Sequence, residues 1–155
     1  MWITLSSADV QQKLAADEYD AVTSASLPDG VTAAEIITDE LSRTLAQVRG
    51  FVSANKSNAL GDGETIPDEL KDAALVIVRY KVFTRLPGMK ALLDELRVKE
   101  YEEATRLLRD VSAGRFAIVP PTTPAADDEQ AAPSTIETVS APTRRNKREN
   151  LEGLY

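Results

Sequence analysis

Six consecutive apolar residues, Ala73 to Val78, constrain this chain more than any other feature. A run without a polar face requires burial on nearly every side. It follows Ile66-Pro67-Asp68-Glu69-Leu70 and precedes Arg79-Tyr80-Lys81-Val82-Phe83. Val76-Ile77-Val78 is β-branched, so a strand fits that triplet taken alone. The flanks favour a helix. Proline suits the first helical position, where its missing N–H is not needed. Asp68 and Glu69 complement the positive end of a helix dipole. The apolar pattern also continues to Phe83 at helical spacing, beyond the usual strand length of about 5–6 residues. The reading is a central core helix that starts at Ile66-Pro67 and is broken by Leu86-Pro87-Gly88. A charge at Val76 is expected to unfold the domain.

The segments on either side need an apolar surface to cover. Ser6 and Asp9 have capping-box spacing, and Ile3 against Val10 supplies a hydrophobic staple. A short helix, Ser7 to Ala16, then buries Val10 and Leu14. Asp17 to Ser26 is small and polar, with room for another short turn, and Leu27-Pro28-Asp29-Gly30 is a turn signal. Thr32 and Glu35 form a second capping box. Ile37, Leu41, Leu45, Val48 and Val52 follow on one helical face, which ends near Ala54 or Asn55. Gly50 costs that helix up to about 1 kcal/mol relative to alanine, so a close helix crossing is expected there. Asn58 to Glu64 reads as an exposed loop.

From Met89, the positions Leu93, Leu96, Tyr101, Ala104, Leu107, Leu108 and Val111 predict one amphipathic helix or two, kinked near Arg97-Val98. Gly114 suits the position just past its end, and Phe116 and Ile118 fold back on the last turn. The fold class is all-α: a small domain of four to five helices over residues 1–118, with an extended proline-rich C-terminal arm. Its expected core includes Leu41, Leu45, Val48, Leu70, Ala74, Ile77, Tyr80, Leu93, Leu96, Ala104 and Leu108.

Composition limits the chemistry. Aromatic residues are 5% of the chain, so the core is aliphatic. There is no cysteine and no histidine, which removes thiolate metal sites and the Ser-His-Asp and Cys-His arrangements together. The carboxylate pairs Asp39/Glu40, Asp68/Glu69, Asp94/Glu95 and Glu102/Glu103 read as solvated faces and helix-start charges, since helix neighbours diverge by about 100°. Asn58 to Glu64 lacks the ligand spacing of a calcium loop, and no Gly-Lys-Ser/Thr makes Gly61 and Gly63 a phosphate loop. The expectation is a non-enzymatic protein without metal or cofactor. No apolar run approaches the roughly 18 residues of a membrane span, and Met1-Trp2-Ile3-Thr4-Leu5 does not read as a secretory signal. A soluble, intracellular protein with no membrane partner is expected.

At Val119 the composition changes. Residues 119–143 interleave Pro120, Pro121, Pro124, Pro133 and Pro142 with Thr, Ala, Asp and Ser, as in a linker. Residues 144–155 carry Arg144, Arg145, Lys147 and Arg148, then Leu151, Leu154 and Tyr155. Basic residues followed by apolar anchors suit a segment that orders in a partner's groove. Contact with nucleic-acid phosphates, in a small regulatory protein, is the alternative. A merely solubilising tail is the third reading.

Four stretches together resemble a known group. They are Met1-Trp2-Ile3-Thr4-Leu5, Val48-Arg49-Gly50-Phe51-Val52, the segment from Ile66 to Tyr80, and the helix with Tyr101-Glu102-Glu103-Ala104 that closes at Leu107 to Phe116. Over residues 1–118 they resemble the Mu-type gp36-like proteins and the wider group of tailed-phage head–tail connector, or adaptor, proteins. That resemblance implies a small all-α subunit of a homo-oligomeric ring, a dodecamer, beneath the portal protein. Such a ring extends the DNA channel, lets DNA pass without sequence-specific binding, and meets a stopper or tail-completion protein. A C-terminal segment often docks on the portal; here that segment is Arg144, Arg145, Lys147, Arg148, Leu151, Leu154 and Tyr155. The resemblance implies no catalytic residues, and a location at the head–tail interface of the virion after assembly in the host cytoplasm.

Overall fold

The computed structural model describes residues 1–25, 27 and 30–121. The domain boundaries proposed beyond residue 121, the docking residues Arg144 to Tyr155, and part of the Leu27–Gly30 turn lie outside them.

Both capping boxes form. Asp9 accepts the Ser6 N–H at 2.9 Å while Ser6 Oγ accepts the Asp9 N–H at 3.4 Å, starting α1 (Ser7–Lys13). The residues at the staple positions on either side of the cap are Leu5 and Val10, both buried, rather than Ile3 and Val10. Ile3 is instead engaged in a strand. A second short helix, α2 (Ala16–Thr23), forms where only a turn was expected, because Glu18 Oε2 accepts the Ala15 N–H at 2.8 Å and Val22 is fully buried. The Thr32–Glu35 box opens α3 (Ala33–Ala54). Its residues Ile36, Ile37, Leu41, Leu45, Val48 and Val52 are buried.

The capping carboxylates make the fold acid-sensitive. Hydrogen bonds from the Ser6 hydroxyl and backbone N–H, with Lys71 at 3.2 Å, lower the Asp9 pKa from 3.8 to about 2. The Glu35 carboxyl is lowered too, by Thr32. A folded pKa below the unfolded one contributes stability that is complete above about pH 4 and is lost as pH falls towards 2. Circular dichroism during acid titration should show the domain weakening in that window. Asp9→Asn should flatten the Asp9 share of that dependence; an unchanged slope would separate Asp9 from acid sensitivity.

The central segment departs from expectation at its start. Ile66–Pro67 is a strand, β2, paired antiparallel with β1 (Trp2–Ile3), Trp2 opposite Pro67. This is the one sheet among the described residues. A 3₁₀ turn over Asp68–Leu70 follows, and α4 begins only at Lys71 and runs to Arg85. Proline's missing N–H suits this edge pairing as well as it suits a helix start. The helical reading of the apolar run holds: Ala73, Ala74, Leu75, Ile77, Val78, Val82 and Phe83 are buried. Val76 is half-buried, so a charge there does not enter the core as expected.

Gly88, at φ 78°, turns the chain after α4, and a 3₁₀ turn over Met89–Leu92 leads to α5 (Glu95–Ser112). Asp94 caps α5 by accepting the Arg97 N–H at 2.8 Å, so the interruption lies before Arg97 and replaces the kink expected at Arg97-Val98. At its other end Gly114, at φ 73°, allows a Schellman closure. The Arg115 N–H donates to Asp110 O at 2.8 Å, and the Gly114 N–H to Val111 O at 3.0 Å. Phe116 and Ile118 then pack, half-buried, on the core.

Helices α3, α4 and α5 pack against one another, with α1 on α4. Of the expected core, Leu41, Leu45, Val48, Leu70, Ala74, Ile77, Ala104 and Leu108 are buried. Tyr80 and Leu93 are half-buried; Tyr80 stacks on Tyr101 with ring centroids 4.1 Å apart. Leu96 is not in the core: it is 60% exposed. It lies roughly a quarter turn around α5 from the Ala104, Leu108 and Val111 stripe.

Gly50 has nothing within 4 Å of the place a Cβ would occupy, so among the described residues no helix crosses there. Gly50→Ala should therefore stabilise the isolated protein by about 0.5–1 kcal/mol, read as a higher urea midpoint at constant m-value. A loss of stability would mean that a close neighbour at Gly50 had gone unseen.

Candidate interaction surfaces

The features that bear on function are surfaces and the contacts that fix them. Paired carboxylates on α3 converge through one long arginine. Arg85, in the last turn of α4, reaches Glu40 Oε1 at 2.8 Å and also Asp39. Asp39 and Glu40 are therefore a joint anion for α4, and Glu40 is buried, contrary to the solvated-face reading. The hydrogen bond from Arg85 is the main cause that lowers the Asp39 carboxyl. One turn earlier, Lys81 donates to Gln47 Oε1 at 2.7 Å and to buried Thr44 Oγ1 at 3.2 Å. Burial lowers the pKa of its ammonium, and the Glu40 carboxylate acts in the opposite direction.

A second network ties α2, α4 and α5. Glu18, 4% exposed, meets Arg97 at 2.8 Å; Arg97 meets Glu100 at 3.3 Å; and Arg79, also 4% exposed, binds Glu100. Alternation of sign lets each charge satisfy the next where water is scarce. Sequence reasoning missed this network: Glu18 and Arg79 lie far in the chain from the Arg97–Glu100 pair that satisfies them.

Between α1, α4 and α5 lies a shallow groove of about 260 Å³, with Ala73, Val76, Ala104 and Leu107 in its lining. Charged rim residues include Lys13 and Asp72, paired at 2.9 Å. Among the described residues no acidic cluster is arranged to hold a metal ion, and no helix is long and apolar enough to cross a membrane. On α3 the exposed positions Thr38, Ser42, Ala46 and Gly50 are small; spaced four apart, they wind about 120° around the helix, with exposed Glu35 and Arg43 beside them.

The third feature gathers the start of the chain, the 61–69 segment and the exit from α5. The expected exposed loop is partly an anchor: Gly61 is buried. A Cβ there would lie 2.6 Å from Trp2 Cε3 and 2.8 Å from Thr65 Oγ1, so only glycine lets the indole lie on this backbone. Arg49, on α3, donates to Thr65 O at 2.6 Å and Gly61 O at 3.0 Å, holding the segment from below. The Asp68 N–H donates to Met1 O at 2.8 Å. On the outside, Trp2 Nε1–H donates to Val119 O at 2.9 Å, and the Val119 N–H donates to Glu69 Oε1 at 3.3 Å. The chain therefore leaves the helical unit at a point set by its first residues. The sequence-predicted docking residues Arg144, Arg145, Lys147, Arg148, Leu151, Leu154 and Tyr155 lie beyond that point and outside the described residues.

Comparison with known proteins adds one match. The model of a family described as Bacteriophage Mu, Gp36 matches residues 5–137, taking in α1 to α5. No curated protein and no solved structure matches the chain.

Proposed function

The chain belongs to the Bacteriophage Mu, Gp36 family, and from that premise we propose that it is a structural virion protein, the head–tail connector that forms a ring beneath the portal. In this reading copies of the chain extend the DNA channel and join the head to a stopper or tail-completion protein. It performs no catalysis and takes no cofactor. The observation that carries the proposal is the family match over residues 5–137, on a unit that is mostly helical.

Two features support it. Thr38, Ser42, Ala46 and Gly50 give the exposed side of α3 a row of small side chains, which a second copy can approach closely. The net charge of −7 suits a channel through which DNA slides, because carboxylates do not grip phosphates. The C-terminal residues Arg144 to Tyr155 supply the docking segment for the portal in this reading, with their affinity multiplied around the ring.

The test is electron microscopy of the purified protein with its cognate portal. Rings on the portal are expected. Deleting residues 144–155 should abolish docking while leaving the helical circular dichroism signal intact. A protein that stays monomeric and never binds portal would end the proposal. A salt-dependent gel shift of nucleic acid, lost on replacing Arg144 and Arg145 by alanine, would instead favour the regulatory alternative.

A further inference from the structure

We propose that residues 115–119 are a releasable strap, latched shut by Trp2 and Glu69, whose opening is separate from unfolding of the helices. The strap has an unusual balance of contacts. It is fastened at its two ends: Arg115 and Phe116 N–H donate to Asp110 O at 2.8 and 3.2 Å, the Arg115 side chain donates to Asp110 Oδ1 at 2.9 Å, and Val119 makes the two bonds to Trp2 and Glu69. Both bonds at Val119 are exposed, and Val119 itself is 52% exposed. Phe116 and Ile118 are only half-buried, and Ala117 is exposed. By contrast Ala74, Ile77 and Val78 of α4 are 0% exposed. Segments with little buried apolar surface and solvent-reached hydrogen bonds open at far lower free energy than the core they lie on.

The latch residues are themselves firmly placed. Trp2 rests on Gly61, whose carbonyl is held by Arg49, and β1 is paired with β2. Glu69 sits in the 3₁₀ turn that leads into α4. A fixed donor and a fixed acceptor therefore meet the two polar groups of one peptide residue, Val119. Releasing that residue leaves both partners exposed to water, so nothing is left buried and unsatisfied when the strap lifts. Freed residues 115–119 would move the departure point of the following chain by up to about 17 Å. This inference does not depend on which partner that chain meets.

The test is native-state hydrogen exchange on the full chain, resolved by mass spectrometry of fragments. The hydrogen-bonded amides of Phe116 and Val119 should exchange at least a hundredfold faster than those of α4, by an opening insensitive to low denaturant. Trp2→Phe keeps a ring over Gly61 and removes the donor; Glu69→Ala removes the acceptor. Each should speed exchange at Val119 about fivefold, as expected for losing one hydrogen bond, and leave α4 unchanged. Trp2 is the only tryptophan, so in Glu69→Ala its emission should also shift to the red. If the strap and α4 exchange together, or both variants accelerate them equally, there is no separate latch and the inference fails. Should Trp2→Phe not fold, Glu69→Ala decides alone.

Discussion

Ile77→Asp should leave the protein unfolded at neutral pH, while Val76→Asp should leave it folded. The two residues are neighbours with similar side chains, and sequence alone treats them alike. Ile77 is 0% exposed at the centre of α4. Truncating such a side chain costs about 2–5 kcal/mol, and an unpaired carboxylate in its place adds several more. That total matches the whole stability of a typical domain, about 5–15 kcal/mol. Val76 is half-buried and lines the groove beside Lys13. An aspartate there keeps access to water, and a cost of about 1–2 kcal/mol is expected. Circular dichroism and urea melts distinguish the cases. Equal damage from both would mean that the groove over Val76 is closed in solution.

Arg79→Ala should cost about 3 kcal/mol, and Arg79→Met less than half of that. Arg79 is buried along its length and ends on Glu100, which Arg97 also holds. Alanine removes the packed stem and one cation together. Methionine restores most of the stem. Glu100 then keeps Arg97 as its partner and retains some exposure, so its charge is not stranded. Removing one partner of a fully buried pair costs about 3–5 kcal/mol, and this shared, partly wet pair falls at the lower end. Urea midpoints at constant m-value provide the measurement. If Arg79→Met loses as much as Arg79→Ala, the charge network rather than side-chain packing holds α4 to α5.

The residues that could be read from the sequence are those whose signals are local. Ser6–Asp9 and Thr32–Glu35 are three-residue patterns, and both cap helices as read. The face from Ile37 to Val52 has one period and one orientation, so its burial follows from spacing. Misreadings arose where a distant partner decided the outcome. Pro67 fits two structures, and Trp2, paired with it across the sheet, selects the strand. Gly61 resembles a flexible loop residue until an indole from the chain's start rests on it. Leu96 shares the apolar character of its neighbours, and its exposure follows from its place on α5, about a quarter turn from the buried Ala104, Leu108 and Val111. Glu18 and Arg79 look like ordinary surface charges because the opposite charges that satisfy them lie on other helices. The interaction surfaces were the least legible, since the side chains left outside become visible only when every other face has been covered.

The bond from Trp2 to Val119 joins residues 117 positions apart, nearly the full span of the helical unit. Seen as a mechanical component, the unit is entered and left at one corner. A pull on the chain beyond Val119 reaches β1 and the turn before α4 first. From there it passes through Arg49 to α3, the longest helix. Tension is thus met first by a small fixture at the rim, and it reaches the end of α5 only once residues 115–119 have lifted.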